Sequence, residues 1–153
     1  MKRLLVLLSA FVLVGCLDVS GPGPSDPANE SFDSSLGVDL KDPSWHVTPT
    51  GTYYKDEIVG TGAMLNLPNS DDSIYVDYTG WTKDGKLFDT AVNAQLPAYR
   101  VILGFLDGMV NMNVGGQRLI VMPSNLGYGA TSQPGIPANS TLIFRIKLNR
   151  FTS

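Results

Sequence analysis

The stretch that most constrains the fold is residues 119–148, where two apolar runs flank a loop rich in glycine and proline. The second run, residues 142–148, alternates its side chains with the period of a β-strand. In the loop, Tyr128 lies between two glycines and Ile136 lies between a glycine and a proline. Turns of this composition are rigid and leave little freedom to the large side chains they carry. The stretch therefore predicts two strands and a loop that lines a pocket.

The periodicity elsewhere is also mainly that of strands. Residues 74–82 alternate, and an Asp-Gly turn joins them to residues 86–88, so the two segments predict a hairpin. Further strands are predicted at residues 52–58 and 118–122. Apolar side chains at helical spacing predict one helix at about 102–112, although two glycines in it lower its helix propensity. We expect the α+β class, with an antiparallel sheet and one short helix on one face.

The N-terminus has the pattern of a secretory signal. Lys2 and Arg3 precede an apolar run, residues 4–14, which is too short to span a bilayer as a mature helix. The run ends in Leu-Val-Gly followed by Cys16, which resembles a bacterial lipobox. We expect residues 1–15 to be a lipoprotein signal peptide and Cys16 to be acylated; the alternative is an ordinary signal peptide with a chance cysteine. The expected location is the cell envelope, on the outer membrane or facing the periplasm if the host has two membranes.

Residues 16–44 have the composition of a tether. They are rich in proline, glycine and serine, and they carry six acidic residues against one basic residue. Such a segment is predicted to be flexible, because it has little apolar surface to bury. Residues 45–153 carry eight acidic and eight basic residues and form the expected domain. Nothing in them forms a basic stripe for nucleic acid.

Several chemistries lack their residues in this sequence. The one histidine, His46, lies in no motif, and the one cysteine is the expected lipidation site. No cluster of histidine, cysteine and carboxylate residues has the spacing of a metal site, and there is no glycine-rich phosphate loop. We therefore expect no metal and no cofactor. Any activity must be one that an apolar, aromatic pocket can perform.

Six short motifs in order carry a resemblance to a known family. They are Val76-Asp77-Tyr78-Thr79-Gly80, Asp84-Gly85-Lys86-Leu87-Phe88-Asp89-Thr90, Val101-Ile102-Leu103-Gly104-Phe105, Met112-Asn113-Val114-Gly115, Gly127-Tyr128-Gly129-Ala130 and Thr141-Leu142-Ile143-Phe144. Together they resemble the FKBP-type peptidyl-prolyl cis-trans isomerases over most of residues 48–151. The resemblance implies a twisted antiparallel sheet wrapped around one short α-helix.

The resemblance also implies a set of site residues. The catalytic positions it implies are Tyr78, Asp89, Ile102 and Tyr128, and the substrate-binding positions are Phe88, Val101, Phe105, Ile136 and Phe144. In this reading the Ile102 N–H and the Tyr128 hydroxyl hold substrate carbonyls, while Asp89 either orients Tyr78 or lies beside the twisting imide. Without the resemblance, several of these side chains would be read as ordinary core residues, since aromatic residues favour strands.

The sequence departs from the family pattern in three places. Gln133 stands near a position at the rim that is often histidine. Phe105 stands where the family usually has a tryptophan at the floor of the pocket. Only Thr90 to Arg100 separate Asp89 from Val101, where family members usually have a longer segment with an aromatic residue that closes one wall. We expect Leu96 or Tyr99 to take over that wall.

The function implied is peptidyl-prolyl cis-trans isomerisation without covalent or metal chemistry. The expected partners are unfolded or partly folded extracytoplasmic proteins that contain proline, with tacrolimus- or rapamycin-type macrolides as candidate ligands. We expect a monomer that contacts the membrane only through its lipid anchor. Two alternatives stay open, namely an FKBP-fold chaperone or peptide-binding module with weak or no isomerase activity, and an unrelated β-rich lipoprotein that binds a small apolar ligand.

Overall fold

The computed structural model describes residues 23–66 and 72–152. In these residues six strands form one antiparallel sheet in the order β1-β2-β5-β6-β3-β4. The strands are β1 (His46–Val47), β2 (Tyr53–Ile58), β3 (Ser73–Thr82), β4 (Leu87–Pro97), β5 (Gln117–Met122) and β6 (Leu142–Thr152), with one helix, α1 (Leu103–Gly108). Short 3₁₀ turns lie at Pro27–Asn29, Ser34–Leu36, Ala98–Arg100 and Ser124–Leu126. The predicted α+β class is confirmed.

The main core lies between α1 and one face of the sheet. Its largest fully buried side chains include Ile74 of β3, Ile120 of β5 and Ile146 of β6. The alternation predicted for β3 and β6 is what aims these side chains at the helix. β6 pairs with β3 over residues 142–148 and with β5 over residues 142–147, so this predicted strand lies at the centre of the sheet.

The helix is shorter than predicted, because it ends at Gly108 and not near residue 112. Its two glycines explain both its length and its position. A Cβ at Gly104 would lie 2.7 Å from the Met122 Cβ, and one at Gly108 would lie 2.6 Å from the Ile120 Cγ2. The glycines weaken the helix, but they let its backbone lie directly on β5.

Arg118 fixes the end of α1. This side chain is 4% exposed, and its Nη1 donates hydrogen bonds of 2.9 Å to the carbonyl oxygens of Gly108 and Val110. Its Nε and Nη2 hold both carboxylate oxygens of Asp56, at 2.7 and 3.1 Å. A bidentate pair of this kind is geometrically specific. The guanidinium therefore joins the helix to β2 and β5.

Residues 25–45 form an N-terminal strap over the other face of the sheet. Leu36 is 5% exposed and packs with Leu119, Val121 and Ile143 of that face. Partly buried apolar side chains of the strap extend the same cluster, namely Phe32, Val38, Leu40 and Trp45. The structure differs here from the expected flexible tether. The segment is acidic on average, but it contains four apolar side chains between residues 32 and 40, and these pack against one face of the sheet.

Polar contacts fasten the strap along its length. Asp42 accepts a hydrogen bond from Lys55 at 3.0 Å, and Lys83 lies 3.4 Å from Glu30. At its start, the Ser25 N–H donates to the Ser124 Oγ at 2.9 Å, while the Ser124 N–H donates to the Ser25 Oγ at 2.7 Å. The strap is thereby joined both to the sheet and to the turn that follows β5.

Candidate active site

The floor of the candidate site consists of three aromatic rings from three different elements. The Phe105 ring of α1 lies 5.1 Å from the Phe144 ring of β6 at 79°, and 5.9 Å from the Tyr78 ring of β3 at 90°. Edge-to-face contacts of this kind are favourable and directional. Phe105 and Phe144 are almost fully buried, at 3% and 4% exposed. The floor is therefore apolar and rigid.

Gly80 makes room for the Phe144 ring. It pairs with Phe144 across β3 and β6, and a Cβ at this position would lie 2.7 Å from atoms of both Phe144 and Phe88. Sequence reasoning quoted Gly80 within a motif but gave it no role. Because Gly80 has no side chain, the centroids of the Phe88 and Phe144 rings can lie 5.5 Å apart.

A hydrogen bond between Tyr78 and Asp89 forms the polar part of the cleft. The Tyr78 hydroxyl donates to the Asp89 Oδ2 at 2.7 Å, from β3 to the adjacent β4. Burial, followed by this hydrogen bond and the charge of Asp89, raises the pKa of Tyr78 to about 12. Of the two roles expected for Asp89, this contact supports the one in which it orients Tyr78.

Tyr128 stands on the loop after β5 and faces the same carboxylate. The Ser124 carbonyl accepts hydrogen bonds from the Gly127 and Gly129 N–H groups, on either side of the tyrosine. The side chain remains 38% exposed. Burial and then the charge of Asp89 raise the pKa of Tyr128 above its ordinary value. Its hydroxyl makes no hydrogen bond to any residue that the structure describes, so it is available to a bound molecule.

A second free donor lies at the start of α1. The Ile102 carbonyl accepts from the Phe105 N–H at 3.1 Å, but the Ile102 N–H has no partner within residues 23–66 and 72–152. Ile102 lines the cleft beside Val101. A buried or half-buried N–H is normally paired, so this group and the Tyr128 hydroxyl are two unfilled hydrogen-bonding positions in one apolar cleft.

The complete cleft has a volume of about 130 Å³. Seven of the nine predicted site residues line it: Tyr78, Asp89, Val101, Ile102, Phe105, Tyr128 and Phe144. Phe88 and Ile136 do not. The Phe88 ring contacts the Phe144 ring edge-to-face at 5.5 Å, and Ile136 is 5% exposed within the main core.

The outer part of β4 forms the wall for which the sequence offered Leu96 or Tyr99. Where the sequence predicted a strand of residues 86–88, β4 continues to Pro97 and brings Leu96 to the cleft. Tyr99 does not take this wall, since it is 64% exposed and outside the lining. A bulge at Asn93, which has a φ of 50°, adjusts the register of β4. The Asp77 carboxylate holds that bulge by accepting the Asn93 N–H at 2.7 Å.

Sequence reasoning missed one lining residue, Arg100. The sequence signal for it was its place directly before the Val101-Ile102 motif, at the end of the shortened segment from Thr90 to Arg100. No metal site accompanies the cleft, because no group of three or more His, Cys, Asp or Glu residues could hold a metal ion in the described part of the chain. The site offers apolar rings, the free Ile102 N–H and Tyr128 hydroxyl, the Arg100 guanidinium, and one carboxylate to which the Tyr78 hydroxyl already donates.

The chain is similar in sequence to proteins of one known family. The family model of FKBP-type peptidyl-prolyl cis-trans isomerases matches residues 66–149, more than half of the chain. FK506-binding protein 4 of Chaetomium thermophilum is 36% identical over 137 residues, which cover 82% of this chain and 28% of that protein. FkpA of Escherichia coli is 38% identical over 103 residues, covering 65% of this chain and 37% of that protein.

The structural comparison agrees. The solved structure of FkpA from Escherichia coli matches with a TM-score of 0.67 at 31% identity, over 78% of this chain and 56% of that chain. The chain spans less than half the length of the curated relatives it matches. The matched residues contain α1 and all the residues that line the cleft. On the family model, the fold and the aromatic cleft together, the chain belongs to the FKBP-type peptidyl-prolyl cis-trans isomerase family.

Proposed function

We propose that the chain catalyses cis–trans isomerisation of X–Pro bonds in its aromatic cleft. The observation that carries the proposal is the pairing of a rigid floor, made by Tyr78, Phe105 and Phe144, with two free donors at its edge. Rotation about a peptide bond meets a barrier of about 18–20 kcal/mol, which amide resonance sets. For X–Pro bonds both isomers are accessible and their exchange is slow.

The cleft can lower this barrier by differential binding. The planar amide is polarised and well hydrated, whereas the twisted transition state has lost resonance and charge separation. An apolar cleft that excludes water therefore favours the twisted state over the planar one. The Ile102 N–H and the Tyr128 hydroxyl would hold the carbonyls on either side of the rotating bond. Tyr78 and Tyr128 keep their protons at neutral pH, so neither acts as a base.

Exchange measured by NMR on a short proline peptide tests the proposal. The purified chain should accelerate exchange, and tacrolimus should inhibit it by occupying the same cleft. Tyr128→Phe should lower the rate while leaving the unfolding free energy nearly unchanged, because its hydroxyl has no partner in the described structure. A folded chain that binds the peptide without accelerating exchange would instead support a chaperone or peptide-binding module.

We also propose that the domain works outside the cytoplasm on proline-containing unfolded proteins, held to a membrane by acyl groups on Cys16. The support is the order of charge, apolar run, small residue and cysteine; these residues lie outside the described part of the structure. No helix among the described residues is long and apolar enough to cross a membrane. Ser25, which is hydrogen-bonded to Ser124, lies nine positions after Cys16, so the domain would stay within roughly 30 Å of its anchor.

Mass spectrometry of the N-terminal peptide tests the anchor directly. Acylation of Cys16 and loss of residues 1–15 are expected in a bacterial host with the lipoprotein pathway. Cys16→Ser should release the protein from the membrane fraction. An unmodified Cys16 in a secreted protein would favour the ordinary signal peptide.

A further inference from the structure

Arg100 differs from two other arginines of the described structure in having no carboxylate partner. Arg118 holds Asp56, and Arg145 holds Glu57 through contacts of 2.9 to 3.1 Å. Arg100 is exposed at the end of the 3₁₀ turn Ala98–Arg100 and makes no ion pair within residues 23–66 and 72–152. Its guanidinium lies 5.4 Å from the centre of the Tyr99 ring. This contact restricts where the charge can lie.

The position of Arg100 relates that charge to the cleft. Arg100 lines the cleft and lies two residues before the free N–H of Ile102. The other charged group of the lining, Asp89, already accepts a hydrogen bond from the Tyr78 hydroxyl. The lining of the cleft thus contains a carboxylate with a hydrogen-bond donor and a guanidinium with no carboxylate partner among the described residues.

We propose that Arg100 makes the cleft prefer X–Pro bonds that have an acidic side chain next to the proline. The inference rests on the proposed isomerase function and names its substrate class. A guanidinium presents donors in a planar fork that matches a carboxylate. Residues of an extended peptide are spaced by about 3.3 Å, so a neighbour of a cleft-bound proline lies close to the rim. Arg100 is a specificity residue here and takes no part in rotation of the bond.

The expected effect is modest, because the pair is exposed to water. Exposed ion pairs correspond to about a two- to fivefold preference in kcat/KM. The preference should shrink in 1 M salt, where the Debye length falls to about 3 Å.

A charge-swap experiment tests this preference. Peptides that differ only in Glu, Gln or Lys beside the proline, in one series before it and in another after it, are given to the wild-type chain, Arg100→Gln and Arg100→Glu. NMR exchange gives kcat/KM, and titration of the same samples gives Kd. We expect wild type to favour Glu over Gln in at least one series, Arg100→Gln to lose the preference, and Arg100→Glu to favour Lys.

Arg150→Gln is the matched control, since Arg150 also lies over a tyrosine ring, that of Tyr75, but outside the cleft. It should keep the preference for Glu. A wild-type chain without a preference, or a preference that Arg100→Gln retains, overturns the proposal. If no peptide is isomerised although the neutral one binds, the isomerase function fails, and the Glu-to-Gln ratio of Kd still decides the role of Arg100.

Discussion

The two faces of the sheet are covered in different ways. The strap packs over Leu119, Val121 and Ile143 and buries these side chains of one face. On the other face α1 is short, and the aromatic rings beyond it line a cleft that stays open. Burial of apolar surface stabilises both faces. The comparison indicates that the proposed function belongs to the face that carries the aromatic cleft, while the N-terminal strap covers apolar side chains of the other face.

The largest expected effect separates the two faces at adjacent residues of β6. Phe144→Ala should lower the unfolding free energy by about 3–5 kcal/mol, because it opens a cavity in the main core. It should also abolish isomerase activity, since this ring forms the floor of the cleft. Urea unfolding and NMR exchange, made at a temperature where the variant is folded, measure the two effects.

Ile143→Ala is its matched control on the opposite face, where Ile143 is fully buried beneath the strap. It should cost about 2–5 kcal/mol while kcat/KM of the folded protein stays near that of wild type. If the folded Phe144→Ala variant remained fully active, the assignment of the cleft would be wrong.

Leu36→Ala tests whether the strap is part of the folded domain. Leu36 is 5% exposed within the cluster under the strap, so its truncation should lower the unfolding free energy by about 2–5 kcal/mol. Leu103→Ala is the control, because Leu103 is 67% exposed and its loss should change stability by less than about 0.5 kcal/mol. If both variants changed the unfolding free energy in urea by the same small amount, the interpretation of this segment as a flexible tether would be correct.

A smaller effect is expected where the strap meets the Tyr128 loop. Ser25→Ala removes the acceptor of the Ser124 N–H and should cost about 1 kcal/mol. Because the Ser124 carbonyl holds the glycines on both sides of Tyr128, the variant should also raise KM with little change in kcat. Ser34→Ala removes an exposed serine of the same strap and should change neither. A loss of stability with an unchanged KM would mean that the hydrogen bonds between Ser25 and Ser124 stabilise the fold but do not position Tyr128.

The smallest effect concerns pH. The pKa of Tyr78 is raised to about 12, and that of Tyr128 is also raised. Below about pH 9 both phenols keep their protons in the folded and the unfolded chain, so neither contributes a pH dependence of stability or rate. Between about pH 10 and 12 the unfolded chain loses the Tyr78 proton first, and stability should fall as the pH rises. Tyr78→Phe should reduce that fall in urea unfolding; an unchanged fall would contradict the raised pKa.

The parts of the fold that the sequence predicts are those with clear periodicity. The alternation of residues 74–82 and 142–148 identifies the central strands, and the ordered motifs bring seven of nine site residues to the cleft. The extent of β4 is not predictable in the same way. Its outer half depends on a bulge at Asn93 held by Asp77, a contact between strands that no local pattern reports.

The strap shows a second limit of sequence reasoning. Its mean composition is that of a tether, yet burial is decided by individual side chains such as Phe32 and Leu36 and by the apolar face they meet. Phe88 and Ile136 show a third. Family motifs identify residues near the cleft, but only the folded structure separates those that line it from those that do not.

The most direct test is the exchange rate of one X–Pro bond with wild type, Ile143→Ala and Phe144→Ala at equal concentrations of folded protein. We predict acceleration by wild type and by Ile143→Ala, with none by Phe144→Ala. Two results would contradict the conclusion that the open aromatic face carries the activity. One is an exchange rate that stays at its spontaneous value in the presence of folded wild type. The other is an equal loss of acceleration in Ile143→Ala and Phe144→Ala.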